Sequence, residues 1–143
     1  MHYVLTAGTG FRISIALPAW HVHCGAEMTT LLLDRDLINE IKRVGHATGR
    51  NDLHAVFVRK LEESLADFPA TFSRHLERGD TAAAVRAAHT LKGSCRQIGA
   101  HALGDLFCEI ERSAKAGDFD SAKCMFEGCS DLVARSLEAL KQA

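Results

Sequence analysis

Ala87-Ala88-His89-Thr90-Leu91-Lys92-Gly93-Ser94-Cys95-Arg96-Gln97-Ile98-Gly99 is the stretch that decides how this chain folds. At about 100° per residue, Val85 just upstream joins Ala88, Leu91, Cys95 and Ile98 at three- and four-residue spacing, the buried stripe of an amphipathic helix. His89, Lys92, Gly93 and Arg96 stand at i, i+3, i+4 and i+7 and form a second stripe, about 120–140° from the first by the same period. An imidazole therefore faces solvent between two cations, with a glycine one turn away. Glycine inside a helix costs about 1 kcal/mol relative to alanine. Close approach by another surface would justify it.

Helical signals extend in both directions. Asp80 is placed to cap this helix and Gly99 to end it. Upstream, a longer helix runs from Asn51 or Asp52 to Gly79, with Leu53, Phe57, Leu61, Leu65, Phe68, Phe72 and Leu76 inward. Pro69 lies inside it and predicts a kink, because proline lacks the amide donor and crowds the preceding turn. Before it comes a short helix, Asp34 to Val44, capped by Asp34, with Leu37, Ile38 and Ile41 on one side. Downstream, His101 to Ala116 turns Leu103, Leu106, Phe107, Ile110 and Ala114 inward, and Gly117-Asp118 makes a turn. A final helix, Asp120 to Lys141, turns Ala122, Met125, Phe126, Cys129, Leu132, Val133, Leu137 and Leu140 inward. Four long helices with short connections predict an all-α fold over residues 28–143. The expected form is an up-down-up-down antiparallel four-helix bundle, with the short extra N-terminal helix capping one end.

Residues 1–27 differ from the rest. Phe11 to Leu17 alternates with a strand period, preceded by Gly8 and Gly10 and ended by Pro18. A lone strand has no partner in a helical domain. The segment therefore reads as an N-terminal extension, disordered or lying along the bundle, or the product of a misassigned start codon. His21, His23 and Cys24 have zinc-ligand chemistry. No fourth ligand is spaced to help, so they read as incidental.

Composition narrows the function. A chain of 143 residues suffices for one domain with its own core. Lys and Arg total 17 against 18 Asp and Glu, a formal charge of −1, which argues against nucleic-acid binding. The five cysteines include no Cys-x-x-Cys pair and read as reduced thiols of a cytoplasmic protein. No apolar run reaches the about 18 residues a membrane span needs. Residues 1–25 lack the basic start of a signal peptide. A di-metal bundle would carry Glu-x-x-His pairs, and none occurs. No nucleotide-binding loop is present, so a full kinase is excluded as well.

The second stripe suits phosphoryl chemistry. A neutral imidazole is a competent nucleophile near pH 7, its unperturbed pKa being about 6.5. Neighbouring cations disfavour the imidazolium and can stabilise phosphoryl oxygens. His89-Thr90-Leu91-Lys92-Gly93-Ser94, with Gly99, Leu103 and Glu111 beyond it, resembles the signature of the histidine-containing phosphotransfer (HPt) domain. The likeness spans residues 32–140 in helix pattern and is concentrated between Ala88 and Gly99. Arg96 stands where that family is often small or polar, and residues 1–27 have no counterpart.

The resemblance implies a phosphorelay phosphocarrier without kinase activity of its own. Its partners would be response-regulator receiver domains or a hybrid sensor kinase. His89 would be the phospho-acceptor, most simply at Nε2, with Lys92, Gly93 and Arg96 around it. The chain would need no cofactor or metal, the Mg2+ belonging to the receiver, and would act as a monomer. Docking would use the third helix around His89 together with the second. The alternative is an adaptor that docks a signalling partner with His89 silent. Gly93 could instead be a helix-packing glycine, and Gln97 either orients the imidazole or is a polar boundary residue. Glu111 reads as structural, and His54, His75 and His101 as surface or boundary residues.

Overall fold

The computed structural model describes residues 2–6, 12–16 and 32–143. It divides into two compact units, Met1–Thr30 and Leu31–Ala143. In the first, β1 (His2–Thr6) pairs antiparallel with β2 (Arg12–Ala16), Val4 opposite Ser14. The alternating stretch thus has a strand partner within the extension itself, contrary to the lone-strand reading. The rest of that extension, His21, His23 and Cys24 included, lies outside the described residues.

The second unit is all-helical among the described residues. Its helices are α1 (Arg35–Ala47), α2 (Leu53–Glu77), α3 (Thr81–Gln97), α4 (His101–Lys115), α5 (Phe119–Gly128) and α6 (Ser130–Gln142). Three starts are fixed by aspartate caps: Asp34 accepts from Leu37 N, Asp80 from Ala83 N and Asp118 from Ser121 N. In sequence order α1 packs on α2, α2 on α3, α3 on α4 and α4 on α5, while α6 touches α2, α4 and α5. The core is joined by aromatic rings around Phe68, whose centroid lies 5.2 Å from those of both Phe107 and Phe126.

Two helix expectations change. The buried stripe of α2 is His54, Val58, Leu61, Leu65, Phe68 and Phe72, and Phe57 is 39% exposed. Successive four-residue steps drift about 40° each around a helix, whereas alternating fours and threes stay on one seam. The stripe expected from Leu53 and Phe57 drifts off that seam at its start. His54 is consequently buried, its Nε2 without a hydrogen-bond partner. Burial, helped by the Lys42 charge, lowers its pKa. Second, the expected final helix is two: Cys129 leaves helical geometry at φ −107°, ψ 19° between α5 and α6. Gly128, a weak helix former, stands at the end of α5 and makes that break inexpensive. Pro69 lies inside α2, which is one helix of 25 residues.

Gly99 ties α1 to the turn between α3 and α4. It sits at φ 85°, and its carbonyl accepts from Asp34 N at 2.8 Å. A Cβ there would lie 2.9 Å from Asp34 O, so only glycine fits. Deleting residues 1–30 is expected to leave the melting temperature of the helical unit within a degree or two. Deleting residues 1–47 also removes Ile38, 2% exposed, and the cover over Gly99. Burying an isoleucine is worth about 1.5–3 kcal/mol, so melting should fall by roughly 10 °C. Thermal unfolding of both truncations, followed by circular dichroism, checks this; equal behaviour would contradict it.

Candidate functional site

α3 presents two faces, as its period requires. Ala84, Ala88, Leu91 and Cys95 are buried, and burial pushes the Cys95 thiol up to about 12, leaving it an inert core group. On the other face the His89 side chain is 64% exposed and that of Lys92 19%. α4 packs alongside, with Phe107, Ile110 and Ala114 in the core. Among them sits a carboxylate, Glu111, only 3% exposed. A buried acid on an apolar face needs partners.

Glu111 has three partners. Its Oε1 takes His89 Nδ1 at 2.9 Å and Lys115 Nζ at 2.8 Å, and its Oε2 takes Lys92 Nζ at 2.5 Å. Burial by itself would raise the Glu111 pKa. Hydrogen bonds from Lys115, Lys92 and His89, with the Lys92 charge, outweigh it and bring the group down to about 2. Glu111 is therefore ionised and can only accept. The bond at Nδ1 must then be donated by the ring, which puts the lone pair of the neutral imidazole on Nε2.

The structure brings His89 and Lys92 together through a residue on another helix. The carboxylate beside His89 comes from α4 rather than from α3. Glu111, read from the sequence as structural, accepts directly from the imidazole. An acid amid Phe107, Ile110 and Ala114 was the signal in the sequence. Lys92, expected to reach toward a phosphoryl group, has its ammonium on Glu111 here. Arg96 is not drawn into this cluster. Its guanidinium is 3.9 Å from Asp105 Oδ1, and its stem crosses Gly104, where a Cβ would lie 2.8 Å from Arg96 Cγ. Gly104 is the packing glycine of the α3–α4 seam.

Gly93 is not, because a Cβ built there meets nothing within 4 Å. The surface beside His89 is open at that point. Gln97 lines a cleft of about 220 Å³ between α2 and α3, with Phe57, Lys60, Leu61, Ser64, Ser94 and Ile98. His101 lies 3.7 Å from Asp105 Oδ2, on the outer side of α4. Among the described residues no group of three or more His, Cys, Asp or Glu could hold a metal ion. None of the described helices is long and apolar enough to cross a membrane.

Compared with protein families, residues 52–143 match the model described as Hpt domain. Comparison with curated proteins and with solved structures finds no match.

Proposed function

The chain belongs to the Hpt domain family, whose members serve phosphotransfer in two-component signalling, and from that premise we propose that it is a phosphorelay phosphocarrier with His89 as acceptor. The observation that carries this reading is the 2.9 Å bond from His89 Nδ1 to the buried Glu111 carboxylate. It aims Nε2 and its lone pair away from the protein. In the proposed step Nε2 attacks the phosphorus of a receiver aspartyl phosphate, and the bond from phosphorus to the aspartate oxygen breaks. The aspartate leaves as a carboxylate, and no proton has to move. The ring becomes cationic as the nitrogen–phosphorus bond forms, and Glu111 is already in place against that charge. Onward transfer to a second receiver runs the same step backwards.

Lys92 holds Glu111 in position and stands one helical turn from the new phosphoryl group. Gly93 keeps the approach clear, and Arg96, on its own pair with Asp105, lies at the rim of the docking face. Mg2+ belongs to the acidic pocket of the receiver in this scheme. The partners are receiver domains and hybrid sensor kinases, met in the cytoplasm by a monomer. The helices supporting this face are read as an up-down-up-down four-helix bundle, with α1 at one end and α5 and α6 sharing the fourth position. Incubating the chain with a panel of phosphorylated receivers tests the scheme. Acid-labile, base-stable label on the chain is expected; receiver binding without label would favour the adaptor.

Gly93→Gln separates docking from folding. Replacing glycine with a good helix former, where the new side chain meets no neighbour, should stabilise α3 by up to about 1 kcal/mol. The glutamine would project into the approach path, so receiver affinity and transfer should fall together. Calorimetric titration and label transfer read both quantities. A less stable protein, or undiminished binding, would contradict this placement.

A further inference from the structure

Arg96 is the cation of the solvent-facing stripe that stands outside the Glu111 cluster, and the fold gives it a seat of its own. At Gly104, near the start of α4, an added Cβ would lie 2.8 Å from Arg96 Cγ, 3.4 Å from Nε and 3.7 Å from Cδ. The arginine stem therefore crosses bare backbone, a place that alanine, the better helix former, would fill. Its head is far less committed. The guanidinium is 3.9 Å from Asp105 Oδ1, and His101 Nε2 is 3.7 Å from Oδ2. Both distances exceed the about 3.2 Å at which such groups hydrogen-bond. The Arg96 and Asp105 side chains are 50% and 58% exposed. A seated stem thus carries a planar fork of donors that is half open to solvent. Lys92 and Lys115 differ, since both ammonium groups are held by Glu111. Arg96 stands two helical turns beyond His89, about 10 Å along α3, with open Gly93 between them. A surface that brings its reacting atom to Nε2 and lies across Gly93 meets the guanidinium next.

We propose that Arg96 selects the partner: seated on Gly104, it presents its guanidinium at the rim of the docking face to a carboxylate side chain of the receiver, distinct from the phosphorylated aspartate. The inference rests on the receiver-docking reading for its partner and on the Gly104 contact for its geometry. A carboxylate is the matching occupant, since a guanidinium pairs with it through two parallel hydrogen bonds that Asp105 does not make here. Giving up the loose contact with Asp105 costs little, because exposed ion pairs contribute little. Arg96 is in this scheme a specificity residue, and it touches neither the phosphoryl group nor the imidazole.

The test uses the full chain and the receiver of the panel that binds it most tightly by titration calorimetry. Arg96→Ala should weaken binding about tenfold at low salt, and by less as salt rises. In label transfer the loss should appear in the receiver concentration giving half-maximal rate, not in the rate at saturation. Arg96→Lys keeps the charge without the fork and should recover only part of the affinity. Gly104→Ala keeps the arginine but displaces its stem, so it should weaken binding too. The double variant should bind no more weakly than Arg96→Ala. Arg135→Gln, which removes a cation of α6 beside Asp131, is the control and should bind as wild type does. Changing the receiver's surface aspartates and glutamates to amides, one at a time, should find one whose loss abolishes the difference between wild type and Arg96→Ala. Unchanged affinity in Arg96→Ala, a lower rate at saturation, additive losses in the double variant, an equal loss in Arg135→Gln, or no such carboxylate overturns the proposal. Binding without label overturns the phosphotransfer reading alone, and the affinities still decide the role of Arg96. A chain that binds no receiver overturns both.

Discussion

His89→Gln should abolish acid-labile phosphorylation of the chain while leaving its helical signal and melting temperature nearly unchanged. The side chain is 64% exposed, so little packing is lost. Surface substitutions of this kind fall within about 0.5 kcal/mol. The glutamine amide can still donate to Glu111, so the carboxylate keeps a partner there. What disappears is the ring nitrogen, for which no other side chain in the cluster substitutes: an ammonium at Lys92 or Lys115 has no lone pair. The measurement is label transfer from a phosphorylated receiver, alongside a thermal melt. Residual label at the wild-type rate would move the acceptor elsewhere.

Glu111→Gln should have the next largest effect, and it separates orientation from charge. The amide oxygen can still accept from Nδ1, so the ring can remain aimed. The anion that opposes the developing charge on the ring is gone. Losing one such stabilising group commonly costs about 10²–10³ in rate, and transfer should slow by about a hundredfold. Receiver affinity should barely change, because Glu111 is 3% exposed and lies out of a partner's reach.

Stability should respond to pH at the same residue. The folded pKa of Glu111, about 2, lies below its ordinary value of 4.5. Its contribution is therefore present above pH 4.5 and is lost as pH falls from there toward 2. That contribution is on the order of 2–3 kcal/mol. Acid titrations of unfolding should be flatter over that window in Glu111→Gln than in wild type. Identical acid profiles, or undiminished transfer, would remove Glu111 from the site.

Much of this architecture is written locally in the chain. Asp34, Asp80 and Asp118 are caps that act within three residues, and the positive φ of Gly99 that ends α3 is a local signal too, although the close approach of Asp34 to the same glycine is not. Such signals need no knowledge of the neighbouring helix. The faces of α3 are local as well, since a single period sorts Ala88 and Leu91 from His89 and Lys92. Glu111 is different: its meaning depends on how far α4 slides along α3, which no period within either helix encodes. The same holds for Arg96, drawn over Gly104 only because that glycine arrives opposite it. His54 and Phe57 exchanged places because the seam of α2 is set by the partners packed against it. The split at Cys129 was hidden by apolar spacing that continues smoothly across it.

The turn from α3 to α4 has a consequence for how the site comes into being. His89 and Glu111 are only 22 positions apart, on helices joined through Ile98, Gly99 and Ala100, and these helices form the most extensive helix pair among the described residues. Closing so short a loop costs little chain entropy, and contacts of small sequence separation can form early. The hydrogen bond that fixes the imidazole thus depends on a local hairpin of two helices, and its formation need not wait for the C-terminal helices to dock. In kinetic terms, the site belongs to the part of the chain with the shortest search.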